Sequence, residues 1–413
     1  MFLNSLVRRN PQFVRAAIEL HRNGLIPPNS YVLDLDAMRE NARLISEEAH
    51  RLGLTVLAMS KQIARNPPAL DALVESGADS FVAVDMGCVL PITQAGHHIG
   101  NIGHVVQIPQ REAPRASAAN PSFWTVYSFD KAAEAAHAAA RQGREQRLLT
   151  RVHGPGDTFP PGLEGGFPAE TIDQVLEAID RLEGASFGGI TTYPAIRYNE
   201  VADAIEPAPN ARTLERVAGR LSELGIGRFE INAPGMTSFS VLELLASLGA
   251  SQVEPGHGFT GTTPLHAHHD LPERPAALYL SEVSHEHEGR AYCFGGGLYA
   301  CPVFSDYRRQ ALVGRDPEQA LSRRMDVTLM PPAAIDYYAM LEGDGAPPAT
   351  GDTVIFGHRI QAFVTRAFVA PVSGVASAEP EVQGIWSAAG TPVSWPGYAG
   401  DYLSGNAMTD SGA

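Results

Sequence analysis

The chain has little cysteine, a shortage of positive charge and no long apolar run. Its 3 cysteines, Cys88, Cys293 and Cys301, are too few and too scattered for a disulfide framework, and no Cys-x-x-Cys pair offers a zinc or dithiol site. A reducing, cytoplasmic setting is the expectation. Lys+Arg total 31 against 46 Asp+Glu, a formal charge of −15 with neutral histidines. Such an excess of anions argues against nucleic acid and other polyphosphate partners, which need a basic face. No stretch of about 18 apolar residues is present to cross a membrane. The opening MFLNSLVRRNPQFVRAAIELHRNG lacks the uninterrupted apolar segment of a signal peptide. No Gly-x-Gly-x-x-Gly follows the first apolar run, so the usual mark of a doubly wound dinucleotide-binding sheet is missing.

What is present is an ordinary globular composition, 44% hydrophobic and 19% charged, long enough for two or three domains. Residues 11–23 have the spacing of a short amphipathic helix, so 1–29 reads as a helical extension. Eight branched apolar runs follow: YVLDL (31–35), LTVLAM (54–59), DSFVAV (79–84), GHVVQI (103–108), FWTVYS (123–128), RLLTRV (147–152), FGGITTY (187–193) and RFEIN (228–232). Segments of helical period lie between them, several closing on Gly where a left-handed C-cap belongs. Nearly continuous apolar strands alternating with helices call for a parallel sheet covered by helices, and eight units predict an α/β fold of the (β/α)8 barrel type over residues 30–270. Beyond it the pattern alternates in the strand manner, broken by Gly and Pro, which predicts a mostly β domain over 271–413.

In a parallel barrel the chemistry lies at the C-terminal ends of the strands. The polar residues there are Lys61, Asp85, Arg151, His153, Tyr193, Asn232 and Glu254, some of which serve only as helix caps. Lys61 closes a buried apolar run, where desolvation disfavours its ammonium form; such a lysine can form a Schiff base, or it can snorkel to the barrel rim or pair with a carboxylate. QVEPGHGFTGT combines Glu254 with glycines that let backbone N–H groups approach an anion, so a phosphate fits there. In NAPGMTS, Thr237 and Ser238 stand at a helix entrance, as a second phosphate donor set or as an ordinary N-cap.

Taken in order, Lys61, GITTYP with Tyr193, NAPGMTS and the EPG of 254–256 resemble the motifs of fold-type III pyridoxal-phosphate (PLP) enzymes: alanine racemase, the basic amino-acid decarboxylases, D-threonine aldolase and the D-serine dehydratases. YVLDLDAMRENARLI is similar to the opening of the alanine-racemase N-terminal domain. The resemblance implies that Lys61 carries PLP as a Schiff base, that Tyr193 and Asn232 lie near the cofactor, and that Thr237, Ser238, Gly256 and His257 surround its phosphate. It also implies that Glu254 faces the pyridine nitrogen. Alanine racemases have an arginine at that position; a carboxylate is the pattern of the decarboxylase and aldolase branches, so alanine is not the expected substrate. The aldolase and dehydratase branch binds a metal through a histidine and a residue two further on, which here are His358 and Ile360, so no metal is expected.

A racemase needs two bases on opposite faces of the substrate Cα. By resemblance the second comes from the β domain of a partner subunit, and AYCFGGGLYACP supplies Tyr292, Cys293, Tyr299 and Cys301; Tyr299 and Cys301 are the chosen candidates, with buried core residues as the alternative for each. The expectation is a homodimeric PLP-dependent amino-acid racemase taking a small-molecule amino acid. A decarboxylase, an aldolase-like or dehydratase-like lyase, a PLP-binding barrel without turnover and a barrel without PLP are the other readings.

Overall fold

The fold is that of a computed structural model, which describes residues 1–299, 304, 308–331 and 333–394. Two N-terminal helices, α1 (Phe2–Arg9) and α2 (Pro11–Arg22), lead into β1 (Ser30–Asp34) and α3 (Leu35–Arg51). Asn10 caps α2 and Asp34 caps α3. Each side chain accepts from a backbone N–H that the first helical turn leaves without a partner.

Eight parallel strands then close a barrel: β2 (Thr55–Met59), β3 (Ser80–Ala83), β4 (Ile99–Ile102), β5 (Phe123–Val126), β6 (Gln146–His153), β7 (Ala185–Thr191), β8 (Glu230–Asn232) and β9 (Gln252–Val253). β9 pairs back onto β2, which completes the ring. A helix follows each of the first seven: α4 (Pro67–Glu75), α5 (Met86–Gln94), α6 (Ala113–Ala118), α7 (Phe129–Ala140), α8 (Ile172–Asp180), α9 (Pro209–Glu223) and α10 (Leu242–Ser247). Asp85 caps α5 by accepting from Cys88 N, which accounts for one of the polar strand-end residues.

Three strand assignments differ from the sequence expectation. YVLDL is not the first barrel strand: β1 lies in the second sheet, antiparallel to β10 (Ala277–His287) and parallel to a strand at Phe368–Ser373. The eighth barrel strand is β9, two residues inside QVEPGHG. Strand count survives the exchange because a doubly buried apolar run has the same composition in either sheet. The fourth strand also moves, from 103–108 to 99–102, because Gly103 adopts φ 77° and turns the chain before VVQI.

The second sheet contains β10, β11 (Arg290–Phe294), β12 (Gln310–Gly314), β13 (Arg324–Thr328), β14 (Tyr338–Glu342), β15 (Thr353–Phe356) and β16 (Phe368–Ser373), in the order β11-β14-β13-β12-β15-β10-β1-β16. β10 also pairs with β11, so six of these strands close on themselves. Phe13, Val14 and Ile18 of α2 pack against Leu278, Leu280 and Ile355, so the N-terminal helices share the core of the β domain rather than that of the barrel. No helix among the described residues is long and apolar enough to cross a membrane.

Candidate active site

The C-terminal end of the barrel interior is polar: Asn101, Thr125, Thr150, Thr191 and Asn232 project from β4, β5, β6, β7 and β8, all fully buried. Above them opens a cleft of about 690 Å³, its mouth included, lined by Lys61, Gln62, His104, Tyr193, Thr237, Glu254, Gly256, His257 and Arg359. The sequence candidates Lys61, Tyr193, Thr237, Glu254, Gly256 and His257 thus meet in one place, although they are spread over nearly 200 residues of chain.

Lys61 begins the single turn that follows β2, and that turn ends on Ala64 and Arg65, both left-handed at φ 57° and 53°. Its Nζ lies 5.5 Å from the centre of the Phe363 ring and makes no ion pair or hydrogen bond among the described residues. Burial lowers its pKa, and the charge of Arg359 adds to the effect; Cys88, Glu254 and Asp85 oppose it. The result is an amine more readily neutral than a surface lysine, which is what nucleophilic and base chemistry require.

Glu254 stands directly after β9 with almost no exposure. Its Oε1 accepts from Asn232 Nδ2 at 3.0 Å and from Asn101 Nδ2 at 3.3 Å. Burial raises its carboxyl to about 7, against the pull of those two hydrogen bonds and of the Lys61 charge. Oε2 is 3.3 Å from His104 Nε2 but without hydrogen-bonding geometry, and it has no hydrogen-bond partner among the described residues. The pair is not a salt bridge in effect, because burial, with the charges of Lys61 and Arg151, holds the His104 ring neutral. The same ring meets Tyr193 edge-on at 5.6 Å.

Gly256 leaves room that a side chain would take, since a Cβ there would lie 2.6 Å from Gln62 Nε2. His257 is kept neutral chiefly by burial, with Nδ1 3.2 Å from Thr262 Oγ1 and Nε2 3.4 Å from Gln361. Thr237 lines the cleft and donates to Gly235 O at 3.2 Å. Ser238 is buried behind it, 3.2 Å from Ser240 Oγ, and does not cap the turn that leads into α10; Glu273 Oε1 accepts from Phe239 N there instead. Asn232 reaches the cleft only through Glu254.

Arg151 is buried beneath the mouth, donating to Tyr127 Oη and Leu163 O, with the Tyr127 ring 4.6 Å from its guanidinium. It ties the 154–166 loop to the barrel. Arg197 and Arg308 face Glu206 and Asp326 on the surface. The guanidinium at the cleft is that of Arg359, which the sequence reading passed over along with Asn101 and His104. The last two were hidden by the misplaced fourth strand; a strand ended at Gly103 would have exposed both. Arg359 lies in the β domain, and nothing local marks it as a neighbour of the barrel.

Tyr299 lies outside the cleft. It lines a separate cavity of about 570 Å³ with Phe2, Leu298, Arg308, Phe356 and His358, and Cys301 falls outside the described residues. Burial lowers His358 to about 4, its Nε2 faces Tyr31 Oη at 3.4 Å, and Ile360 beside it is buried. Among the described residues no group of three or more His, Cys, Asp or Glu is placed to hold a metal ion. The His-rich run at 266–270 disperses, His266 against Glu273 and His269 against Asp203.

A closed parallel barrel with a strand-end lysine, followed by an antiparallel domain, defines the class of fold-type III pyridoxal-phosphate enzymes. The chain belongs to the family described as "Alanine racemase, N-terminal domain", which it matches over residues 33–264, and it also matches "YhfX-like, C-terminal domain" over 278–382. It is 35% identical over 390 residues to the uncharacterized protein YhfX of Escherichia coli K12, covering 94% of this chain and 99% of that one. Among solved structures it is similar to D-threonine aldolase from Filomicrobium marinum (TM-score 0.65, 14% identity, 89% and 96% of the two chains). It is also similar to D-threo-3-hydroxyaspartate dehydratase from Delftia sp. HT23 (0.64, 18%, 87% and 97%) and to alanine racemase from Clostridium difficile 630 (0.58, 14%, 87% and 98%). At these identities the likeness is one of fold.

Enzymes of this family use pyridoxal phosphate, and two observations fit the cleft to that group. The orphaned, buried Oε2 of Glu254 lacks a donor of the kind a protonated pyridine nitrogen provides. A Cβ at position 256, on the wall of the same cleft, would lie 2.6 Å from Gln62 Nε2, so glycine leaves that space open.

Proposed function

We propose that the protein is a PLP-dependent enzyme that labilises a bond at the Cα of an amino acid, with racemisation as the leading outcome. The observation that carries the reading is the pairing, in one cleft, of a desolvated Lys61 amine with a buried Glu254 carboxyl group whose Oε2 has no hydrogen-bond partner among the described residues. Lys61 would hold the cofactor through Nζ, and the same amine is the base placed to take a proton from the substrate Cα. Glu254 Oε2 would accept the ring N–H and favour the protonated form of that nitrogen. When bound, PLP supplies the sink for electron density released at the substrate Cα. Thr237, Gly256 and His257, which line the cleft together, would hold the phosphate, and Tyr193 and His104 would hold the ring.

A lyase outcome is the second reading. Lys61 is the one amine base at the cleft, while Tyr299 lies in a different cavity of its own chain, and a single base suffices for a lyase. Racemisation needs an opposite-face group, which we assign to the β domain of a second copy in a cytoplasmic homodimer.

Purified protein incubated with PLP is expected to gain a visible absorption band and, after borohydride reduction, the mass of a reduced adduct on Lys61. Both should be lost in Lys61→Ala; an unmodified Lys61 in the wild type would refute the cofactor reading. Single enantiomers incubated in deuterated water then separate the outcomes. Both enantiomers carrying Cα deuterium mean racemase; an amine, aldehyde or keto acid means lyase.

A further inference from the structure

Four barrel strands contribute to one hydrogen-bonded array at the base of the cleft. Thr125 Oγ1 on β5 donates to Asn101 Oδ1 on β4 at 2.9 Å, and Thr191 Oγ1 on β7 donates to Asn232 Oδ1 on β8 at 2.8 Å. Both amides then donate Nδ2 to the same atom, Glu254 Oε1. An amide whose carbonyl oxygen is taken by a hydroxyl turns its NH2 the other way, and an NH2 can only donate. Two such donors converging on Oε1 exclude a proton from that oxygen, because a protonated Oε1 would face them with a hydrogen of its own. They also hold the carboxyl group by one oxygen and leave the other, Oε2, without a hydrogen-bond partner among the described residues, on a side chain that lines the cleft.

All four side chains are buried polar groups, and burying them carries a cost unless each is bonded. Their placement is explained by what they do to the carboxylate. We propose that Thr125–Asn101 and Thr191–Asn232 are two positioning relays that present Glu254 Oε2 as a directed acceptor for the N–H of a cationic heteroaromatic ring in the cleft. Only the identity of that ring rests on the functional reading above. The relays reach Oε1 from different strand pairs, so losing one leaves the other's hydrogen bond in place.

The test uses the apoprotein. Thr125→Val and Thr191→Val remove a hydroxyl at nearly constant volume, and the Glu254 carboxyl is followed by pH-difference infrared spectroscopy, its band assigned by loss in Glu254→Gln. Each valine variant is expected to raise the Glu254 midpoint by about one pH unit as a charge-assisted hydrogen bond weakens, with the double variant shifted further. Thr125→Ser, which keeps the hydroxyl, should restore the wild-type midpoint; if a valine variant does not fold, Thr125→Ala carries the same expectation. Midpoints unmoved in folded variants overturn the relays, as does a serine variant that behaves like valine. PLP titration of the same samples separates the two levels of the argument. Shifted midpoints in a protein that takes up no PLP leave the relays standing and remove the ring's identity, whereas PLP uptake with unmoved midpoints does the reverse.

Discussion

Glu254→Gln converts the buried carboxyl into a stability measurement. Burial holds Glu254 at about 7, where 4.5 is ordinary, so the folded apoprotein binds this proton more tightly than the unfolded chain does. Stability therefore falls as pH rises between those values: the penalty is absent below 4.5, grows through the interval and is complete above about 7. Moving a carboxyl from 4.5 to about 7 corresponds to roughly 3 kcal/mol. Glutamine does not titrate, and its carbonyl oxygen can still accept from Asn101 and Asn232. The unfolding free energy of the variant minus that of the wild type should thus climb by roughly 3 kcal/mol from pH 4.5 to pH 8. Other titrating groups, such as His21 and His358, both lowered to about 4, are common to both proteins and cancel. Urea denaturation of the two apoproteins followed by circular dichroism across that range gives the difference directly. A constant offset is expected from the new amide facing the cleft, so only the slope is diagnostic. Parallel curves would refute the reasoning, because a Glu254 that titrates normally is not desolvated and cannot act as argued.

Gly189 adopts φ 151°, and a Cβ there would lie 2.1 Å from Glu230 O on the neighbouring strand; Gly189→Ala should cost more than about 2 kcal/mol in urea denaturation, and a neutral result would mean that β7 and β8 do not meet this closely. Gly256→Ala pushes a methyl group against the flexible end of Gln62. It should fold normally yet weaken PLP binding about tenfold, with recovery when Gln62→Ala is added; unchanged affinity would place the cofactor elsewhere. If the second acid or base comes from another copy, inactive Lys61→Ala mixed with inactive Tyr299→Phe should regain part of the activity, and a mixture that stays inactive removes Tyr299 from that role.

Much of the site was legible because its signals are local. A lysine closing an apolar strand, glycines beside a carboxylate and a Thr-Ser pair at a helix entrance each carry their chemistry in a few consecutive residues. Lys61, Tyr193, Thr237, Glu254, Gly256 and His257 accordingly line the one cleft. Tyr299 did not follow them, since its candidacy rested on residue type and on a partner subunit rather than on a strand end.

By itself the sequence determined periodicity, and with it the alternation of strands and helices that makes a barrel and the β domain that follows. It also determined which residues have the chemistry to bind an aldehyde cofactor. Only the tertiary structure decided which strand pairs with which: that β1 belongs to the second sheet, that the two residues of β9 close the barrel, and that Asn101, His104, Glu254 and Arg359 converge. The reason is physical. Burial and period are properties of a segment, whereas a pairing register is a property of two segments far apart in the chain, and an apolar run carries no mark of its partner.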